Sequence, residues 1–396
     1  MRSFAAGFLA IDFSLYLYNV LKMSVFYVGV ILAIGAFATP VISLLVGFLG
    51  DKYGRKPVLI LDLLTLPIGL AIIVANHSFA ALAIASALGG FGVAGGLVGG
   101  GVGASVGPVV TTLLAENTNE GNRTLIFSIN TALSTFTGAA GALMVSFFNY
   151  EPLFLLGIAI TLISVLLIIP LEEIYSRPQR GSGISSLSDR DKKFIKAFGL
   201  TGLINGMSQG LITPFYPLIF EVFFHFTVAQ VGYLMTVGGL ATGVVDLFSS
   251  WFAGRLGFLK LIIVTRAISA TMVLAVPLSP NGLIAGLLYL IATPMRALSI
   301  PAQSALQMTL ISEGARGRSS GINQAARLLA SALSTSLGGA LLSGFPLYLP
   351  FALASALTYG NSALYQYFFG QVPEASARMR RAPQQTIHCR KHRLGN

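Results

Sequence analysis

The sequence is a succession of apolar runs, each about as long as a bilayer is thick. Twelve can be read, over 4–20, 25–49, 58–76, 79–113, 124–147, 152–171, 194–223, 228–253, 259–279, 282–311, 319–344 and 347–369. A helix needs about 20 predominantly apolar residues to cross the hydrocarbon core. Inside lipid, every backbone N–H and C=O must be satisfied within the protein, so runs of this length are helices rather than strands. They are numbered here as spans 1 to 12.

Composition agrees with this reading. Only 10% of the 396 residues are charged, against about 25% in a soluble domain. So few charges cannot cover a water-facing surface, and the main solvent is lipid. The net charge of +11 would otherwise suggest nucleic acid, but position decides. Of 25 Lys and Arg, 21 fall in alternate loops and the two tails, Lys22 falls on the other side, and Arg266, Arg296 and Arg327 fall inside spans. That asymmetry places both termini in the cytoplasm of a multi-pass plasma-membrane protein. The basic residues form no aromatic-interleaved patch, which excludes a nucleic-acid partner. The lone cysteine, Cys389, allows no internal disulfide. It lies with His388 and His392 in a polar, Arg-rich tail that is not expected to hold a metal, and nothing in the sequence calls for a cofactor.

Between spans 2 and 3 the chain reads Gly47-Phe-Leu-Gly50-Asp51-Lys52-Tyr-Gly54-Arg55-Lys56, closed by Pro57. Gly50 and Gly54 are expected to let the backbone turn sharply. Asp51 and Arg55 are expected to pair with each other or with a helix end, while Lys52, Arg55 and Lys56 hold the loop inside. A loop that only marked topology would need the basic residues, not the glycines and the Asp. The pattern G-x-L-G-D-K-x-G-R-K, standing between two spans, resembles the loop between helices 2 and 3 of major facilitator superfamily transporters.

The two halves of the chain repeat weakly, as transporter halves often do. Asn19-Val20 matches Glu221-Val222, Pro108 matches Pro301, and Ser128-Ile129-Asn130 matches Gly321-Ile322-Asn323. Gly254-Arg-Leu-Gly257 reads as a degraded copy of the opening loop without its Asp. The resemblance therefore covers residues 2–370 and implies an all-α fold of twelve transmembrane helices. Its parts are a six-helix half (1–171), a polar cytoplasmic linker (172–193), a second six-helix half (194–370) and a basic tail (371–396). The chain opens as the middle of a first family helix does, about ten residues late for a full first span. Gly95, Gly99, Gly103 and Gly107 in span 4 recur every fourth residue, as do Gly92, Gly96 and Gly100. Such stripes serve close helix packing or leave room for a ligand.

Ionisable groups inside spans are costly and mark functional candidates. The resemblance places spans 1, 4, 7 and 10 around a central cavity, which puts Asp12 and Arg296 there. Burial disfavours the charged form of a carboxylate, so Asp12 is the first choice for a proton-coupling group, with Glu221 and Asp246 next. The other reading of Asp12 is a static ion pair or a wet carboxylate. Arg296 has the planar fork that suits carboxylates; it either binds an anionic substrate group or pairs with Asp12 or a neighbouring helix. Asp246 and Arg266, at similar depth on adjacent helices, are expected to form a structural pair. The resemblance assigns Glu116 to a latch with Arg55. Asn205, Gln209, Thr213 and Tyr216 share one face of span 7 by helical spacing, and Pro214 and Pro217 loosen that helix. With Arg296 and Gln303 of span 10, Asn205, Gln209 and Tyr216 are the expected substrate-binding set. Gly47, Gly50, Asp51, Gly54, Arg55, Lys56 and Glu116 are the expected gating set.

These residues imply a secondary transporter of a small solute, working by alternating access as a monomer, with protons as coupling ion. Efflux of organic or drug-like compounds leads over uptake of a metabolite or organic anion. The G-x-x-x-G-P-x-x-G-G pattern of proton-coupled drug antiporters is departed from at Thr137–Ala142, which has no proline, and Gly103 stands at the repeat position of Arg296. A receptor or scaffold that kept the fold is the reading from another class. An enzyme is not expected: the spans hold no histidine, no metal-ligand cluster and no nucleophile–base pair, and there is no P-loop.

Overall fold

The computed structural model describes residues 1–92, 120–170, 188–312 and 315–373, and all regular elements among them are helices. Spans 1 to 3 are α1 (Arg2–Asn19), α2 (Val25–Tyr53) and α3 (Arg55–Ala75), and α4 (Phe79–Gly89) begins span 4. Spans 5 and 6 are α5 (Glu120–Met144) and α6 (Tyr150–Ile168). In the second half, α7 (Asp189–Ile212), a 3-10 turn (Thr213–Phe215) and α8 (Tyr216–Val222) make span 7. Span 8 is α9 (Val228–Leu247) with α10 (Ser249–Leu256), and spans 9 to 12 are α11 (Phe258–Ala275), α12 (Gly282–Leu310), α13 (Arg316–Gly344) and α14 (Tyr348–Phe369). The glycines of span 4 from Gly95 onward, Pro108, Glu116, the linker to residue 187 and the tail from residue 374 lie outside the described residues.

Among the described residues, seven helices are long and apolar enough to cross a membrane on their own. The less apolar spans are those whose polar side chains the bundle buries: Asp12 in α1, Asn205 and Ser208 in α7, Thr358 and Asn361 in α14. The other spans carry apolar character on their outer faces. Leu44, Phe48, Leu61, Leu166, Leu283 and Leu333 stand exposed around the bundle, as a lipid-facing belt does.

Helix pairing shows the repeat directly. In the first half α1 packs on α5 and α6, α3 on α4 and α6, and α2 on α4. In the second half α7 packs on α13 and α14, α11 on α12 and α14, and α9 on α12. Each of these contacts has its counterpart. The backbone repeats too. Gly54 (φ 98°, ψ 151°) and Gly257 (φ 80°, ψ 156°) are the single-residue breaks between α2 and α3 and between α10 and α11. Only glycine reaches this region without strain, so one residue suffices to reverse the chain. Lys22 (φ 53°) and His225 (φ 57°), after spans 1 and 7, match in the same way.

Three expectations are corrected here. The turn between spans 2 and 3 is shorter than its sequence suggests, because α2 continues to Tyr53. Gly50 is helical and accepts the Gly54 N–H at 3.1 Å, so Gly54 alone makes the turn. The basic run Arg190–Lys193, expected in the linker, is the first turn of α7. Its helix starts there because Asp189 and Asp191 complement the positive helix N-terminus. Span 8 is broken at Phe248, two residues after Asp246.

The halves meet through α2 on α13 and α5 on α9. Their tightest contacts lie at the face away from Gly54, here called the far face; the other is the loop face. There Gly29 and Gly339 approach so closely that a Cβ on Gly29 would stand 2.6 Å from Gly339 Cα. Two hydrogen bonds between the halves are also at that end: Asn19 to Glu221, and Ser146 Oγ to Ala229 O. The structure is therefore closed at the far face.

Candidate functional site

Below this closure lies a cavity of about 300 Å³, the lower end of small-molecule sites. Its walls come from both halves. Span 5 contributes Asn130, Ser134 and Thr135, and the second half contributes Gln209, Tyr216, Asp246, Tyr289 and Arg296. The cavity exists where it does because span 7 breaks beside it. Pro214 and Pro217 remove two helical donors, and the chain tightens into a 3-10 turn over Thr213–Phe215 before resuming as α8. This holds the Tyr216 ring against Tyr289, with centroids 4.8 Å apart, at the far end of the site.

Arg296 reaches α7 from α12. Its Nη2 donates to Asn205 Oδ1 at 3.1 Å, and both terminal nitrogens approach Ser208 Oγ at 3.3 to 3.4 Å. Its Nε is buried with no hydrogen-bond partner. Arg327 reaches the same helix from α13: Nη1 donates to Gln209 Oε1 at 3.2 Å, and its other nitrogens bond Gln324 on its own helix. Arg266, 2% exposed, is enclosed between α11, α12 and α14. It donates to Asn361 Oδ1, to Gln303 Oε1 at 2.6 Å and to Ser299 Oγ at 3.2 Å, and lies 4.8 Å from the Tyr365 ring centroid.

None of these three arginines meets a carboxylate among the described residues. The expected Asp246–Arg266 pair does not form. The two share depth, but Arg266 turns toward α12 and α14, whereas Asp246 turns to the cavity with Oδ1 buried and unbonded. Nor do Asp12 and Arg296 pair. Asp12 is 1% exposed, and neither of its carboxyl oxygens has a hydrogen-bond partner among the described residues. Gln303 was expected at the substrate; it is committed instead to Arg266 and to Asn323 Oδ1 at 3.3 Å. Asn205 and Gln209 do lie on one face, each holding an arginine.

Glu221 stands at the far face, where its Oε1 accepts from Asn19 Nδ2 at 2.5 Å. In the gating set, Gly50, Gly54 and Lys56 are described, whereas the side chains of Asp51 and Arg55 and all of Glu116 lie outside the description. Sequence reading missed Ser208 and the span 5 wall, and gave Arg327 no role beyond that of an ionisable group inside a span. The first two carry a signal: Asn130 and Ser134 sit one helical turn apart in an apolar run, and Ser208 precedes Gln209.

The chain is similar in structure to a point mutant of the nucleoside transporter NupG, with a TM-score of 0.74 at 15% identity, covering 93% of this chain and 98% of that one. It is similar to a D-xylose-proton symporter, with a TM-score of 0.73 at 13% identity over 94% and 96%. It is also similar to the inward open conformation of the xylose transporter XylE from E. coli, with a TM-score of 0.70 at 12% identity over 93% and 94%. No match is found among curated protein sequences. At such identities these likenesses establish the fold. The family model for the Major Facilitator Superfamily matches residues 1–195 and 198–393, nearly the whole chain. With the paired halves and the cavity between them, this places the chain in the major facilitator superfamily, as a multi-pass membrane transporter.

Proposed function

We propose that the protein carries a small organic anion across the membrane by alternating access, together with a proton. The observation that carries this reading is Arg296: a guanidinium in the cavity wall whose partners are all neutral and whose Nε is unused. A half-buried cation with no carboxylate among its hydrogen-bond partners is held at a cost, and an anionic substrate would supply that partner. This shifts weight from efflux of drug-like compounds to the organic-anion alternative.

Asp246 shares the same cavity. A carboxylate beside a bound anion repels it unless protonated, so anion and proton would enter together. Asp246 is thus the coupling group the geometry supports best, and Asp12 is the second. The D-xylose-proton symporter among the similar structures supports coupling to protons on this fold. With the basic loops read as cytoplasmic, the structure represents the inward-facing state.

Uptake into sealed proteoliposomes under an imposed pH gradient tests the reading, using labelled carboxylates beside labelled cations and sugars. Carboxylate accumulation that follows the gradient in wild type and is lost in Arg296→Gln is the expected result. Accumulation of cations or neutral solutes alone would overturn it.

A further inference from the structure

Two arginines, not one, converge on the same stretch of span 7. Asn205 and Gln209 are one helical turn apart on α7. The first holds Arg296 from α12 and the second holds Arg327 from α13. Gln209 itself lines the cavity. Both arginines are only half-buried, unlike Arg266, which neutral acceptors and an aromatic ring enclose on every side.

The bonds of Arg327 are those of a group without a committed partner. Each is 3.2 to 3.3 Å long, and two of the three go to Gln324, an exposed amide on the same helix. A charge-assisted arginine bond in a permanent pair is typically shorter. Amide oxygens from α7 thus occupy the places that two anionic groups would take.

We propose that Arg327 is a second anion-binding residue, and that the substrate is a small molecule with two anionic groups, such as a short dicarboxylate. One group displaces Asn205 from Arg296 and the other displaces Gln209 from Arg327. This rests on the reading of the cavity as an anion site.

The test is calorimetric binding to the full chain in nanodiscs, with malonate, succinate and glutarate as probes beside acetate and butyrate. At least one dicarboxylate is expected to bind about tenfold or more tighter than either monocarboxylate, since a bidentate arginine contact has that strength. Arg327→Gln should bring that ratio close to one, weakening the dicarboxylate about tenfold and the monocarboxylates by much less. Arg327→Lys, which keeps charge at the site without the fork, should retain part of the preference and shows that the site survives substitution. Equal affinity for mono- and dicarboxylates in wild type, or an equal loss of both in Arg327→Gln, overturns the proposal while the anion reading stands. Binding of none of the five probes by wild type overturns both.

Discussion

Asn19 donates through Nδ2 to Glu221 Oε1 at 2.5 Å and stands 2.8 Å from the Tyr150 hydroxyl. Asn19 ends span 1, and Glu221 is the next-to-last helical residue of span 7. The bond crosses between the halves at the face that is closed. Beside it Tyr16 meets His77 Nε2 at 3.1 Å and the Tyr150 ring at 5.9 Å, so the far end of span 1 is anchored on both sides.

Removing this bond should open the far face. A hydrogen bond to a charged group contributes about 1.5–3 kcal/mol, enough to change a conformational ratio by roughly tenfold. Spin labels at Lys22 and His225, both exposed beside the latch, would report the separation. In Asn19→Ala we expect a longer-distance population that is minor in wild type. An unchanged distance distribution would mean that glycine packing alone holds the face shut.

Gly29 tests that packing. Its Cβ would meet Gly339 Cα at 2.6 Å and the Phe215 ring at 3.4 Å. The first contact is backbone and cannot swing away, so Gly29→Ala must push α2 from α13. Overpacking of this kind costs about 1–3 kcal/mol, and all of it falls on the closed far face. The same label pair should separate further than in wild type, and transport should slow as this state becomes harder to reach. Gly344→Ala, near the end of α13 with open space around its Cβ, should do neither.

Arg266 and Arg296 should differ in what they support. Losing Arg266 leaves Asn361 and Gln303 without their charged donor inside a closed network. Each buried group left unsatisfied costs about 1–3 kcal/mol, so Arg266→Met should lower the melting temperature in detergent by many degrees. Arg296→Gln should melt close to wild type, because Arg296 already faces the cavity and its bonds are long. Equal loss of stability in the two variants would argue that Arg296 is also structural.

The contrast shows what sequence can convey. Hydropathy located the spans because lipid imposes it on every crossing helix. The repeat, the break at Pro214 and Pro217 and the special glycine at Gly54 were legible because each is set by local backbone chemistry. Pairing was not. Asp246 and Arg266 lie at one depth, and depth is what the sequence position of a helical residue gives. The direction each side chain takes around its helix depends on neighbours that only the packed bundle supplies. The same gap left Arg327 without a partner in the sequence reading: it stands as the charged candidate of span 11 until Gln209 is seen beside it. Gln303 likewise shares a helix face with cavity residues, yet the arginine behind it claims it.

Two carboxylates are candidates for the proposed proton site, and paired substitutions separate them. Asp246 lines the cavity beside Arg296, so its charge acts on the bound anion. Asp12 is 1% exposed on α1, one helical turn from the buried Phe8 and Tyr16, without a hydrogen bond among the described residues. In Asp246→Asn position 246 is permanently neutral. Anion exchange across proteoliposomes should continue, while accumulation driven by the pH gradient disappears. In Asp12→Asn an apolar neighbourhood receives a neutral isostere, and gradient-driven accumulation should persist at about the wild-type level. The reverse pattern, with coupling lost only in Asp12→Asn, would move the proton site to span 1 and leave Asp246 as a wet group in the cavity wall. Counterflow measured with equal pH on both sides checks that each variant still transports.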